Sequence, residues 1–302
     1  MGKDLAEAFA EAREVFAEVD DALSQNLTKI MFEGPEGDLN LTANTQPALM
    51  AMSMAVVRVL ERQGGIHMAS ACQFVAGHSL GEYSALTAAG ALSLSDTAKL
   101  LRIRGTAMQE AVPVGVGAMA AILGLDFEDV KEIAAAASKQ VGGDGVCAAA
   151  NDNAPGQVVV SGHKGAVEAA IALATAKGAK RAIALPVSAP FHCSLMEPAA
   201  KRMAEALAAA TIKTPVVPVV ANVTASAVSS PDEIRKLLVE QVTGRVRWRE
   251  SVTWMKEQGV SEMIELGAGK VLGGLVKRIE KDVSGESVGT PEQIDALIAK
   301  LK

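Results

Sequence analysis

Apolar positions recur every three to four residues over 4–23, and a second, mostly apolar stretch runs from Thr45 to about residue 62, with Pro47 in its first turn. The first stretch predicts an amphipathic helix, and the second, which follows Thr45 with Pro47 in its opening turn, predicts another helix. A short apolar run over 74–78 predicts a strand leading straight into Ser79, and a helix follows to about Ala89. Another helix is expected over 96–111. The middle of the chain changes period. Strands are predicted over 116–123, 145–150, 157–161 and 181–186, with helices over 127–139 and 165–176 and a turn-rich link over 151–156. The resulting order, βαββαβ, is the ferredoxin-like pattern. After it come a helix over 194–209, short strands within 216–221, helices over 231–241 and 246–258, a strand over 262–266, a helix from Lys270 and a last amphipathic helix over 290–302.

These elements predict an α/β protein with a large α/β-hydrolase-like body containing a parallel sheet, formed by residues 1–112 and 188–302. A ferredoxin-like subdomain, residues 113–187, is inserted into that body.

Composition narrows the class. The 302 residues are 49% hydrophobic but only 3% aromatic, so the core is built from Ala, Val, Leu, Ile and Met on closely packed helices. No apolar run approaches the ~18 residues that span a bilayer, and no signal peptide opens the chain. A soluble, cytoplasmic protein is expected, without a membrane partner. A net charge of −6 argues against broad nucleic-acid binding. Cys72, Cys147 and Cys193 fit reduced thiols rather than a disulfide framework, and His67, His78, His163 and His192 lack metal-ligand spacing. No metal or cofactor is expected.

Candidate chemistry begins at Gly77-His78-Ser79-Leu80-Gly81, a G-x-S-x-G between a predicted strand and a predicted helix. A sharp turn there would present the Ser79 hydroxyl, with both glycines removing Cβ atoms that would collide. The Leu80 N–H would point into the same space and could hold an oxyanion. A serine nucleophile needs a base, and His192 is the best placed, just after a predicted strand. Ser194 and Glu197, with S-x-x-E spacing, would cap the helix beyond it; a histidine that merely caps that helix is the plainer alternative. No Asp or Glu offers itself as a third member, which leaves a neutral group to orient the base. Arg104 has Leu100, Leu101, Ala107 and Met108 at helical spacing and should point inward. A substrate carboxylate would suit its fork, and so would an internal ion pair.

Together these residues resemble malonyl-CoA:acyl carrier protein transacylases and the acyltransferase domains of fatty-acid and polyketide synthases. The matching stretches span nearly the whole chain. They are Asn44-Thr45-Gln46-Pro47-Ala48-Leu49, Gly77 to Tyr83, Arg102-Ile103-Arg104-Gly105, Asn153-Ala154-Pro155-Gly156-Gln157, Ala189-Pro190-Phe191-His192, Gln241 with Val246-Arg247-Trp248, and Glu265-Leu266-Gly267-Ala268-Gly269. The resemblance implies an acyltransferase of fatty-acid biosynthesis that moves a malonyl group from coenzyme A to acyl carrier protein. Ser79 would be the nucleophile, His192 the base, Gln241 the residue that orients it through an oxygen, and Arg104 the clamp on the malonyl carboxylate. Phe191 would crowd an α-methyl group, and Gln46 and Asn153 would line the substrate site. The family begins with a strand and a glycine-rich segment that supplies a second oxyanion donor, and Met1-Gly2-Lys3-Asp4-Leu5 looks like the stretch just after that segment. One donor and one strand are therefore expected to be missing.

Two other readings stand beside this one: a serine thioesterase or esterase, and a carrier-binding module that has lost turnover. A monomer is expected. An acidic carrier would dock on a basic patch, with Lys177, Lys180 and Arg181, or Lys270, Lys277, Arg278 and Lys281, as candidates.

Overall fold

The structure is a computed structural model that describes residues 1–187 and 189–302. Ser188, in the stretch before His192, lies outside the described residues. Nine strands are present among the described residues: β1 (Val75–Ala76), β2 (Gly117–Leu123), β3 (Cys147–Ala154), β4 (Gln157–His163), β5 (Arg181–Ala184), β6 (Val219–Ala221), β7 (Ser226–Val228), β8 (Glu262–Leu266) and β9 (Ser284–Val288).

At the centre of the body lies the helix Thr42–Val59, apolar on almost every side and buried along most of its length. It packs against the helices Ala10–Leu23, Gly81–Ala88 and Leu94–Glu110. A helix enclosed this way needs no polar face, so its sequence shows little amphipathic contrast. It starts three residues before Thr45, which places Pro47 inside the helix rather than in its first turn. The contact with Leu94–Glu110 is close because of Gly105, where a Cβ would come within 2.5 Å of the Thr42 carbonyl oxygen. The first predicted helix is interrupted at Phe9, whose backbone is extended and whose ring is buried, giving helices Lys3–Ala8 and Ala10–Leu23.

The body's strands form two small sheets, not one continuous parallel sheet. In the first, β1 runs parallel to β6, and β7 adds an antiparallel edge; in the second, β8 runs parallel to β9. The central segment makes a four-stranded antiparallel sheet in the order β3-β4-β2-β5, the ferredoxin-like order. Helices Phe127–Val141 and Lys164–Ala176 cover it and share a separate apolar core with it, including Ile122, Val130, Val160 and Val167.

The link over 151–156, expected to be a turn, is mostly strand. β3 continues to Ala154 through two register shifts, and only Pro155-Gly156 turns, with Gly156 at φ 68°. The polar run Asn151-Asp152-Asn153 reads as a loop but is held by partners outside its own sheet. Asn151 bridges to Val246, Asp152 N–H donates to the Val246 carbonyl, and the buried Asp152 carboxylate pairs with Arg249 at 2.7 Å. No helix among the described residues is long and apolar enough to cross a membrane.

Candidate active site

The site is assembled around the turn after β1. Ser79 sits at φ 52°, in the left-handed region where a non-glycine residue is strained by about 1–3 kcal/mol. Gly77 makes the turn possible, since a Cβ there would lie 2.0 Å from the Gly81 carbonyl carbon. Gly81 has no such role: a Cβ built on it meets nothing within 4 Å. Three hydrogen bonds hold the strained residue in place. Asn222 Oδ1 accepts from the Ser79 N–H at 2.7 Å, Asn222 Nδ2 donates to the Gly77 carbonyl at 2.7 Å, and Gln241 Nε2 donates to the Ser79 carbonyl at 3.0 Å.

His192 is buried and also left-handed, at φ 58°. Its Nε2 lies 2.8 Å from Ser79 Oγ, and its Nδ1 lies 2.9 Å from the backbone carbonyl of Gln241. A carbonyl can only accept, so Nδ1 carries the proton and Nε2 offers its lone pair to the serine hydroxyl. Burial, and then the Arg104 cation, push the imidazole down to about 3, so it is neutral around pH 7. The expected capping box does not form. Residues Ser194–Met196 make a 3-10 turn, and the α-helix Glu197–Ala209 begins after it with no side-chain cap.

Arg104 turns inward, as its helical face predicts, and is 1% exposed. Its Nη1 donates to Gln46 Oε1 at 2.7 Å, and its Nη2 donates to Gln241 Oε1 at 2.9 Å and to Ser79 Oγ at 3.1 Å. Nε has no partner among the described residues. The internal ion pair left open by the sequence is not made: no carboxylate of a described residue contacts this guanidinium. A cation with a free donor beside a serine hydroxyl can receive an anionic group bound at that hydroxyl.

The remaining expected residues are close by. Leu80 opens the helix Gly81–Ala88, and its N–H has no partner among the described residues. Phe191 packs between the body core and the cluster of Met119, Ala150 and Val159 on the inserted sheet. Asn153 Oδ1 lies 2.8 Å from His78 Nε2, so the Asn153 side chain holds the histidine before the serine. His78 therefore faces the inserted hairpin and Trp248, with ring centroids 5.9 Å apart, and not the Ser79 hydroxyl.

Two polar residues of the site escaped the sequence reading: Asn222 and Glu82. Glu82 is 2% exposed, and its Oε2 accepts from the Asn222 N–H and from Gln241 Nε2, both at 2.9 Å. Burial pushes its carboxyl up to about 7, against the pull of the Asn222 N–H, the Gln241 amide and the Arg104 cation. Asn222 follows the all-buried strand β6, and only its position directly after a short apolar run could have drawn attention to it.

A strained serine over a helix start, a neutral histidine on its hydroxyl and a buried arginine beside both define an acyl-transfer class, and the chain belongs to it: residues 1–294 match the acyl transferase domain family. Several of its similar proteins are malonyl transacylases. It is 45% identical over 302 residues to a malonyl CoA-acyl carrier protein transacylase of Bacillus subtilis, covering 100% of this chain and 93% of that one. The crystal structure of an acyl-carrier-protein-S-malonyltransferase from Bartonella henselae is 56% identical, with a TM-score of 0.96 over 100% of this chain and 94% of that one. A malonyl-transacylase solved in complex with a type II PKS acyl-carrier protein is 42% identical, with a TM-score of 0.94 over 99% of this chain and 94% of that one.

Proposed function

We propose that the protein transfers a malonyl group from coenzyme A to the phosphopantetheine thiol of an acyl carrier protein through a malonyl-Ser79 ester, as a cytoplasmic step of fatty-acid biosynthesis. The observation that carries this reading is the position of Ser79 Oγ, 2.8 Å from His192 Nε2 and 3.1 Å from Arg104 Nη2. Base and cation converge on one hydroxyl. The hydroxyl oxygen attacks the thioester carbonyl as its proton passes to Nε2, and the tetrahedral oxyanion is held by the Leu80 N–H. Collapse breaks the C–S bond, and the departing thiolate takes the proton back from His192. The carrier thiol then repeats the sequence in reverse, leaving Ser79 free.

Arg104 fixes the malonyl carboxylate, with Gln46 and Gln241 holding the guanidinium in register. Phe191 crowds the α-carbon and disfavours a branched acyl group, a discrimination of ~1–3 kcal/mol. Gln241 orients His192 through its main-chain oxygen, and Asn153 acts through His78 as a positioning residue. No group beyond the chain and its two thioester partners enters this scheme. The boundaries that fit are residues 1–112 with 188–302 for the body and 113–187 for the insert, because the insert has its own core. The protein acts as a monomer. Its carrier docks on Lys270, Lys277, Arg278 and Lys281 in preference to the other basic group, since Lys177 is already paired with Asp129 and Glu132.

A thioesterase would need no fixed cation at the nucleophile, so Arg104 favours transfer over hydrolysis. Intact-mass measurement after mixing with malonyl-CoA tests the proposal. One malonyl adduct is expected, lost in Ser79→Ala and passed to added holo acyl carrier protein. Free malonate with no carrier labelling would point to the thioesterase, and no adduct at all to a binding module.

A further inference from the structure

We infer that Glu82 is the counter-charge of Arg104 in the unliganded protein, and that docking a carboxylated acyl group on Arg104 transfers one proton from solvent to Glu82. The inference rests on the proposed role of Arg104 as the clamp on the malonyl carboxylate.

A guanidinium stays charged at any pH a protein survives, and a buried charge requires an opposite one. Arg104 is 1% exposed, yet every group it touches directly is neutral: Gln46, Gln241 and the Ser79 hydroxyl. The balancing charge stands one residue further away. Gln241 Oε1 accepts a hydrogen bond from the Arg104 Nη2–H at 2.9 Å, and its Nε2 donates to Glu82 Oε2 at 2.9 Å. One planar side chain thus separates cation from carboxylate.

The other titratable groups facing this pair carry no charge near neutral pH. Tyr83 lies under the guanidinium, 5.7 Å from ring centroid to Cζ, and burial drives its phenol well above the usual range. His192 and His78 are both lowered by burial, with Arg104 adding to the effect. Glu82 is therefore the acid that answers Arg104.

A malonyl carboxylate bound directly to the guanidinium puts two anions around one cation in a desolvated site. Two such acids do not both stay ionised. The substrate's, in direct contact with the fork, keeps its charge. Glu82, screened from Arg104 by the amide, takes up the proton. Both of its donors, the Asn222 N–H and Gln241 Nε2, point at Oε2. A proton on Oε1 therefore leaves both bonds in place, and the serine turn is undisturbed. The carboxyl already stands at about 7, so a modest change in its surroundings changes its charge.

The test is calorimetric titration of the Ser79→Ala protein, which forms no ester, with malonyl-CoA at pH 8 in two buffers of different ionisation enthalpy. If pairing of Arg104 with the substrate lifts Glu82 by about 1–2 pH units, uptake of ~0.4–0.8 proton per site is expected. The uptake should vanish in Ser79→Ala/Glu82→Gln. Binding with no net proton uptake, or equal uptake in the Gln variant, overturns the inference while leaving the substrate assignment intact. Failure to bind malonyl-CoA overturns the assignment and the inference together. Should the Gln variant not fold, acetyl-CoA replaces it: it carries the same coenzyme phosphates without the carboxylate. Equal uptake with acetyl-CoA and malonyl-CoA would refute the proton's destination, and excess uptake with malonyl-CoA would support it.

Discussion

Replacing Asn222 by Ala should damage both the fold and the chemistry, and the size of each effect follows from what its amide holds. The side chain satisfies the Ser79 N–H and the Gly77 carbonyl, each at 2.7 Å, and Asn222 itself is 1% exposed. Truncation leaves two buried main-chain groups without partners, at ~1–3 kcal/mol each. A total of about 2–6 kcal/mol is expected, which lowers the melting temperature of a chain this size by roughly 3–10 °C. The kinetic effect has a separate origin. Ser79 is kept at φ 52° against a conformational preference of about 1–3 kcal/mol. If the turn relaxes, the hydroxyl leaves His192 Nε2, and acyl-enzyme formation should slow by about 10–100-fold. Asn222→Asp sharpens the test. It keeps an acceptor for the Ser79 N–H but turns a carboxylate oxygen toward the Gly77 carbonyl, so it should do no better than Ala. Thermal unfolding and quenched-flow mass measurement of the malonyl adduct read the two effects. An Ala variant that melts and acylates like the wild type would refute the reasoning.

Three further outcomes are expected. Arg104→Ala should lower kcat/KM for malonyl-CoA by about 10²–10³-fold, the cost of leaving a carboxylate unpaired in a desolvated site, while acetyl-CoA loses far less; an unchanged substrate ratio would remove the clamp. Gly105→Ala drives a methyl group to 2.5 Å from the Thr42 oxygen, so stability should drop by ~1–3 kcal/mol. Its KM for malonyl-CoA should rise as Arg104 parts from Gln46, checked by steady-state kinetics beside a denaturant curve. The third concerns pH: folded His192 is lowered from 6.5 to about 3, so below 6.5 the unfolded chain binds the extra proton and stability falls with acidification. Glu82, raised from 4.5 to about 7, acts with the opposite sign, favouring the folded state at low pH and losing that contribution as pH rises through this window. His192→Gln should therefore flatten the loss of denaturant midpoint between pH 6.5 and 4; parallel curves would argue against a neutral imidazole in the folded protein.

Much of the fold could be read from periodicity, and its failures share a cause. Most helices and the βαββαβ order were legible because each element shows one face to its own core; the enclosed helix Thr42–Val59 was legible instead from its length and its apolar run. β9, Ser-Gly-Glu-Ser-Val, has no alternation to read and exists because β8 lies beside it. β7 is three residues long and owes its pairing to β6. The polar end of β3 reads as a turn because Val246 and Arg249, which hold it, are almost a hundred residues away in sequence.

The site divides in the same way. Ser79 is announced by its local turn and Arg104 by an apolar helical face. His192 is marked by its place after a strand, and Gln241 emerges only through resemblance. Asn222 and Glu82 act through bonds that join positions 140 residues apart in the chain. Nothing local distinguishes a hydrogen-bonding hub from an ordinary polar residue, and the acid of this site lies behind the arginine, not beside the histidine.

The Asp152–Arg249 pair has a practical corollary for anyone building hybrid enzymes. It pins the inner hairpin of the insert to the body at the point where Asn153 reaches His78. A donor insert grafted at its two outer junctions alone would bring an acid without its arginine, or leave the arginine facing nothing. Hybrids should therefore move the hairpin tip and the start of the helix Trp248–Glu257 as one cassette. The natural seam for recombination runs behind that ion pair, not through it.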